Sequence, residues 1–296
     1  MSSYKDSRKI QLIFILVVTF IVLLSLSGLM LVQHLKSRGE AKAELFQSID
    51  DNDYQTACEI IKKYPSLVNE NRFANDIFAK LCDTVSQPPL LRACVYGESR
   101  REFIELFVEN GADVNKRGNT VYDYPLLRLL ERKEVDLARY LIDNGADLLV
   151  TREFSENVPL MVANICADNG DTVLQQKCFE IFKASIEQGA FVVPQGQDHY
   201  YRSCVGFTSV YGVAASGNQV LMVEYFLDNG MHGVDEIVHR DNKTALIVAA
   251  ENGAYDVVLL LVNAGADKTV IDANGMTAYD YAVAAGDQDL IELLGE

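Results

Sequence analysis

Tryptophan is absent from the 296 residues, and histidine occurs only four times. Six cysteines are too few for a disulfide scaffold. Cations are scarce as well: 26 Lys and Arg stand against 42 Asp and Glu, for a net charge of −16. That balance excludes nucleic acid as an expected partner, because a polyanion is held by clustered cations. No two histidines are four residues apart, and no close cysteine pair accompanies them. Phosphate loops, nucleophile elbows and zinc-protease helix motifs are missing too. His199 beside Asp198, and His232 and His239 flanking Asp235 and Glu236, read as surface-loop residues. The sequence therefore predicts no metal, no cofactor and no catalysis. What is present is 49% hydrophobic residues with an ordinary 23% charged, which predicts a folded chain.

Ile10 to Val32 is a run of 23 residues without a charge. As a helix it would extend ~35 Å, enough to cross a ~30 Å hydrocarbon core. Lys5, Arg8 and Lys9 precede it; Lys36, Arg38 and Lys42 follow. A cleaved secretory leader or a buried core helix is the alternative, but a leader's apolar core is normally ~7–15 residues, which favours an uncleaved single-pass anchor in the lipid bilayer. Three cations on each side leave the orientation nearly tied. A short tail with three cations resists crossing, which tips the balance toward an extracytoplasmic domain. Residues 1–9 then form a basic tail, 10–32 a transmembrane helix and 33–42 a juxtamembrane linker. Residues 1–42 carry +4 and the remainder −20.

The remainder repeats itself. Gly-Ala-Asp recurs at Gly111, Gly145 and Gly265, with degenerate copies at Gly189 and Gly230, spaced by 34, 44, 41 and 35 residues. In the clearest unit Leu246, Ala249 and Ala250 form one apolar stripe, Gly253 a stop, and Val257, Val258, Leu260 and Leu261 a second helix that Gly265 ends. Such a helix pair is apolar on both sides and must stack on neighbours.

Thr244-Ala245-Leu246-Ile247-Val248-Ala249-Ala250, then Gly253, then Gly265-Ala266-Asp267, resembles an ankyrin repeat. Pro88-Pro89-Leu90-Leu91, Tyr124-Pro125-Leu126-Leu127, Val158-Pro159-Leu160-Met161, Gly206 to Ala214 and Thr277 to Ala282 resemble further copies, and Ala43 to Arg72 a divergent first one. The resemblance implies an all-α ankyrin-repeat solenoid over residues 43–296, with helix-turn-helix pairs joined by β-hairpin connections and preceded by the one transmembrane helix. The chain departs from the family in lacking the His of the Thr-Pro-Leu-His motif; Leu91, Leu127, Met161, Tyr211, Ile247 and Asp280 occupy its place. Cohesion between repeats is then expected to lean on apolar packing. Insertions are expected near 73–83, 167–178 and 193–203. Cys166 and Cys178 flank the second and could pair in an oxidising compartment.

Ankyrin stacks usually meet partners with hairpin tips and the exposed side of the first helices. Carried onto this chain, that surface includes Tyr96, Asp123, Glu131, Arg132, Phe207 and Glu251. The third insertion adds His199, Tyr200, Tyr201 and Arg202, and Tyr and Arg are enriched among binding hot spots. Tyr96 and Phe207 read equally as rings that cover a neighbouring repeat. The expected function is a membrane-anchored, non-catalytic protein–protein interaction module whose partner is another protein, membrane-associated and basic. An inhibitor or immunity-type protein that blocks one dedicated toxin or enzyme is the alternative.

Overall fold

The computed structural model describes residues 27–71, 87–96, 100–118, 123–151, 157–166, 171–190 and 209–295. Helix α1 covers 27–50. It is followed by α2 (Tyr54–Lys63), a 3-10 turn (Pro65–Asn69), α3 (Pro89–Val95), α4 (Arg100–Glu109), α5 (Pro125–Glu131) and α6 (Val135–Asp143). Then come α7 (Val158–Cys166), α8 (Thr172–Glu187), α9 (Val210–Ser216) and α10 (Val220–Asp228). The strands β1 (Ile237–His239) and β2 (Lys243–Thr244) precede α11 (Ala245–Glu251), α12 (Tyr255–Asn263), α13 (Ala278–Ala285) and α14 (Gln288–Gly295).

Local chemistry sets the helix ends. Pro89 and Pro125 open α3 and α5, where a missing N–H costs nothing. Ser209 and Thr244 accept the Gly212 and Ile247 amides at the starts of α9 and α11. Thr277 and Asp280 form a reciprocal capping box on α13. Gly145 and Gly265, at φ 90° and 87°, take the left-handed position that ends α6 and α12. Within each pair, the tight turn between helices also needs a positive φ. Asn52, Lys133 and Asn218 adopt it at φ 59°, 61° and 54°, where other units use Gly253 or Gly286.

The first helices form one layer: α3 on α5, α5 on α7, α7 on α9, α9 on α11, α11 on α13. The second helices form another, with α6 on α8, α8 on α10, α10 on α12 and α12 on α14. The core lies between the layers, and Leu90, Phe107, Leu126, Leu141, Leu160, Phe182, Phe226, Leu246 and Leu261 are all at most 2% exposed. Each such side chain contributes roughly 1.5–3 kcal/mol through burial. An aromatic chain joins the fourth and fifth pairs: Phe182 meets Phe226 at 5.3 Å, and Tyr211 meets Phe226 at 5.3 Å and stacks on His232 at 4.8 Å.

Four expectations change. Ser209, not Thr208, caps α9, so Gly212 rather than Tyr211 stands at the missing-histidine position and Tyr211 is buried core. Among the described residues only β1 and β2 form a two-stranded hairpin; Thr151 and Asn157 add one isolated bridge. The described part of the second insertion, from 172 on, is helical: α8 has 16 residues where α6, α10 and α12 have 9 each, and 167–170 lie outside the described residues. Packing is also not the only cohesion between units. Asn69 donates to Gly111 O at 2.8 Å and accepts from Asp113 N at 2.7 Å. Asn115 repeats this on Gly145 O and Asp147 N, and Asp235 accepts from Asp267 N. Short polar side chains thus clamp three of the units to the Gly-Ala-Asp turn of the next.

Among the described residues no helix is long and apolar enough to cross a membrane. Most of the 10–32 run lies outside the described residues, as do the insertions near 73–83 and 193–203. The described end of the run belongs to α1: Leu29, Met30, Leu31 and Val32 are 57–68% exposed, whereas Leu45, Phe46 and Ile49 are buried in the first unit. Residues 33–42 are helical throughout.

Candidate interaction surface

His199, Tyr200, Tyr201, Arg202 and Phe207 lie outside the described residues. The other candidates fall on the first-helix layer. Tyr96, Arg132 and Asn252 cap the C-terminal ends of α3, α5 and α11. Glu131 and Glu251 stand one residue earlier, so stacking sets these side chains along one rim. Tyr96 is 47% exposed. Its ring lies under the Arg92 guanidinium, 4.3 Å from centroid to carbon, and Arg92 Nε donates to Asp50 Oδ1 at 2.5 Å. One cation thus connects the first unit to an aromatic of the second.

Asp123 does not join this rim. Expected at an exposed tip, it is 2% exposed. Its carboxylate accepts from Arg128 Nε at 2.7 Å and from Gln87 Nε2 at 3.5 Å, and its carbonyl accepts from Gly118 N at 2.9 Å. The role is structural: a buried carboxylate that positions Arg128. Arg128 also donates to Glu131 Oε2 at 2.9 Å. Burial works against the charge on Arg128, but its two carboxylate partners hold its pKa above the ordinary arginine value.

Glu251 pairs with Lys243 Nζ at 2.5 Å, and that ammonium lies 4.6 Å from the centre of the Tyr281 ring. Burial opposes the Lys243 charge, and Glu251 and Tyr281 outweigh it, raising its pKa. Tyr281 Oη donates to Asp272 Oδ2 at 2.7 Å. Burial likewise opposes the charge on Asp272. The Tyr281 hydroxyl, the Met276 and Asn274 amides and the Asn274 side chain more than compensate, holding its carboxyl at about 2.

Arg92 and Arg128 were not singled out in the sequence. A signal did exist. Arg92 and Arg128 are 36 residues apart at the same place in successive first helices, where later units have buried Val162, Val213 and Val248. At this one position the layer is therefore cationic in its second and third units and apolar in the next three. Among the described residues no three His, Cys, Asp or Glu side chains are grouped to hold a metal ion. His232 contacts Glu236 at 3.0 Å, and His239 Nδ1 accepts from Asp241 N at 3.2 Å. Cys166, the last residue of α7, and Cys178, two turns into α8, are drawn together as a disulfide with Cα atoms 7.0 Å apart. Cys94 is buried, and burial drives its thiol pKa well above the usual range, so it is an inert packing residue.

Residues 172–272 and 213–296 match the family model of ankyrin repeats (3 copies). Residues 172–296 are thus similar to ankyrin repeats. The paired helices and glycine-ended turns of the described structure agree with that match, and the same architecture continues N-terminal to it through α1–α7. The chain is also similar to the ankyrin repeat and KH domain-containing protein mask-1 of Caenorhabditis elegans, 26% identical over 208 residues. That similarity covers 70% of this chain and only 7% of the worm protein.

Proposed function

We propose that this chain is a membrane-anchored ankyrin-repeat adaptor that binds another protein and performs no chemistry of its own. The contact surface is the rim and face of the first three units, with Tyr96 at its centre and Arg92, Arg128, Glu131 and Arg132 around it. The observation that carries this reading is the Asp50–Arg92–Tyr96 arrangement: an exposed ring and a guanidinium already held in one geometry lose little freedom on binding. The charge-free run of 10–32 and its apolar continuation into α1 support the anchor. A Cys166–Cys178 disulfide supports an oxidising, extracytoplasmic side. The partner is membrane-associated, because an anchor raises effective concentration only toward proteins in the same surface, and basic, to match the −16 net charge.

The test is photo-crosslinking from a reactive side chain at position 96 in native membranes. A discrete adduct with one other protein is expected, from a chain that stays in the membrane pellet through carbonate extraction. Absence of any adduct at position 96, with adducts formed from another face, would move the contact surface elsewhere. Release by carbonate would remove the anchor.

A further inference from the structure

The end of α1 that meets the apolar run is surrounded by cations. The antiparallel turn from α1 into α2 brings the C-terminal end of α2 back beside residues 34–42. Tyr64 Oη lies 3.4 Å from Ser37 Oγ, and the rings of Tyr64 and His34 are 6.3 Å apart. Arg38 donates to Ser66 Oγ at 2.9 Å and ion-pairs with Glu70, which also pairs with Lys42 at 3.3 Å. The 3-10 turn at Pro65–Asn69 is thereby clasped to α1. Within 34–42 and 62–70 five cations, Lys36, Arg38, Lys42, Lys62 and Lys63, stand against two carboxylates, Glu40 and Glu70. Glu70 is used by Arg38 and Lys42. Lys36 has only a loose 3.9 Å pairing with the well-exposed Glu40. Lys62 and Lys63, both exposed in the last turn of α2, form no ion pair among the described residues.

Lys63 Nζ also lies over the Tyr64 ring, 5.3 Å from its centre. Height decides what these three exposed cations meet. At ~1.5 Å per residue, Lys36 is about 6 Å of helix rise beyond Val32, the last residue of the charge-free run. Lys62 and Lys63 precede Tyr64, which sits at the level of His34 and Ser37. The headgroup layer on each side of a bilayer is roughly 5–8 Å thick. On the anchored reading above, on which this inference rests, all three ammonium groups therefore lie in that layer.

We infer that Lys36, Lys62 and Lys63 form a collar that docks the first repeat unit onto the phosphates of an anionic bilayer. The occupant is argued from where the chain goes: the helix that carries Lys36 includes residues 27–32 of the apolar run, so on the anchored reading this end faces a lipid surface. Charge complementarity supplies the attraction. Residues 209–296 carry 14 acidic and 3 basic residues, so an anionic leaflet repels the far units and the attraction stays local to the collar. The unit is then held against the surface by two means, a span and a ring of ammonium groups, which limits swivelling about the span.

The test uses the full chain in nanodiscs of phosphatidylcholine alone and of phosphatidylcholine with phosphatidylglycerol. Lysines are briefly methylated with formaldehyde, an uncharged reagent, and a borohydride, and each is read by mass spectrometry. Lys36, Lys62 and Lys63 are expected to react several-fold more slowly in the anionic discs, with the difference lost at high salt. Lys183 and Lys268 are expected to react equally in both. Lys62→Gln with Lys63→Gln leaves the chain in the discs and reduces the protection of Lys36. Equal rates for the collar lysines in the two lipids, or slowing shared by Lys268, would overturn the docking while leaving the anchor intact. A chain that fails to enter the discs and is released by carbonate would overturn both.

Discussion

Lys133 and Asn218 occupy the same left-handed turn, yet their substitutions have opposite expected signs. Lys133 pays the steric cost of φ 61° without a side-chain partner that requires it. Lys133→Gly is expected to raise stability by about 1 kcal/mol, read as the urea midpoint by circular dichroism. Asn218 at φ 54° accepts from Val257 N at 3.0 Å and donates to Asp256 Oδ2 at 2.9 Å, capping the start of α12. Asn218→Gly relieves the backbone but loses the cap, and a net loss of about 1 kcal/mol is expected in the same assay. Asp272 gives a pH dependence. Its carboxyl sits at about 2 in the fold; in the unfolded chain it returns to ~3.9. A depressed carboxyl stabilises the fold above the unfolded value and loses that contribution as pH falls from about 4 to about 2. Asp272→Asn is therefore expected to flatten the stability curve across that window, losing up to about 2 kcal/mol of pH-dependent stability. An unchanged acid limb would show that Asp272 is not held this way.

Between elements, the Asn69 and Asn115 clamps replace the histidine tie whose absence the sequence displays. Asn115→Ala is expected to cost about 1 kcal/mol and to speed amide exchange at Asp147, whose N–H it accepts at 2.8 Å. Exchange elsewhere in the stack should change little. The clamp was hard to foresee because Asn115 reads as an ordinary turn residue; only stacking puts it against the carbonyl of Gly145, 30 residues later. The lengthened α8 makes a related point. The ten extra residues were legible as an insertion, but Thr172 to Cys178 are helical because Asp171 caps them through the Val173 and Leu174 amides. The Cys166–Cys178 pair then staples those turns to α7. Reduction is expected to lower stability by a nominal ~3 kcal/mol through the freed loop, seen as a drop in melting temperature. Two additional free thiols in the untreated chain would remove the staple.

For the whole molecule, charge is distributed unevenly along the stack. Residues 27–151 carry 20 acidic and 16 basic groups, near balance, and the strong excess of carboxylates lies in residues 209–296. A field of that shape steers a basic partner and is screened within about 10 Å at moderate salt. The association rate of the captured partner is expected to fall several-fold as salt is raised, with a smaller change in dissociation, in surface-binding kinetics. A rate insensitive to salt would separate the acidic units from recognition.

The sequence by itself determined the repeat period, the helix pairs, the turns that end them, the apolar run and the sign of the charge. These features depend on neighbours within a few residues, where capping, φ preferences and the helical period act. Tertiary structure alone decided that Asp123 is buried beneath Arg128 while Tyr96 stays open under Arg92. It also decided that Ser209 caps α9, and that Tyr64, which follows Lys62 and Lys63, stands beside α1. Each of those outcomes depends on which side chain a neighbouring unit or returning helix brings within 3–5 Å, a distance that residue spacing along one chain does not encode.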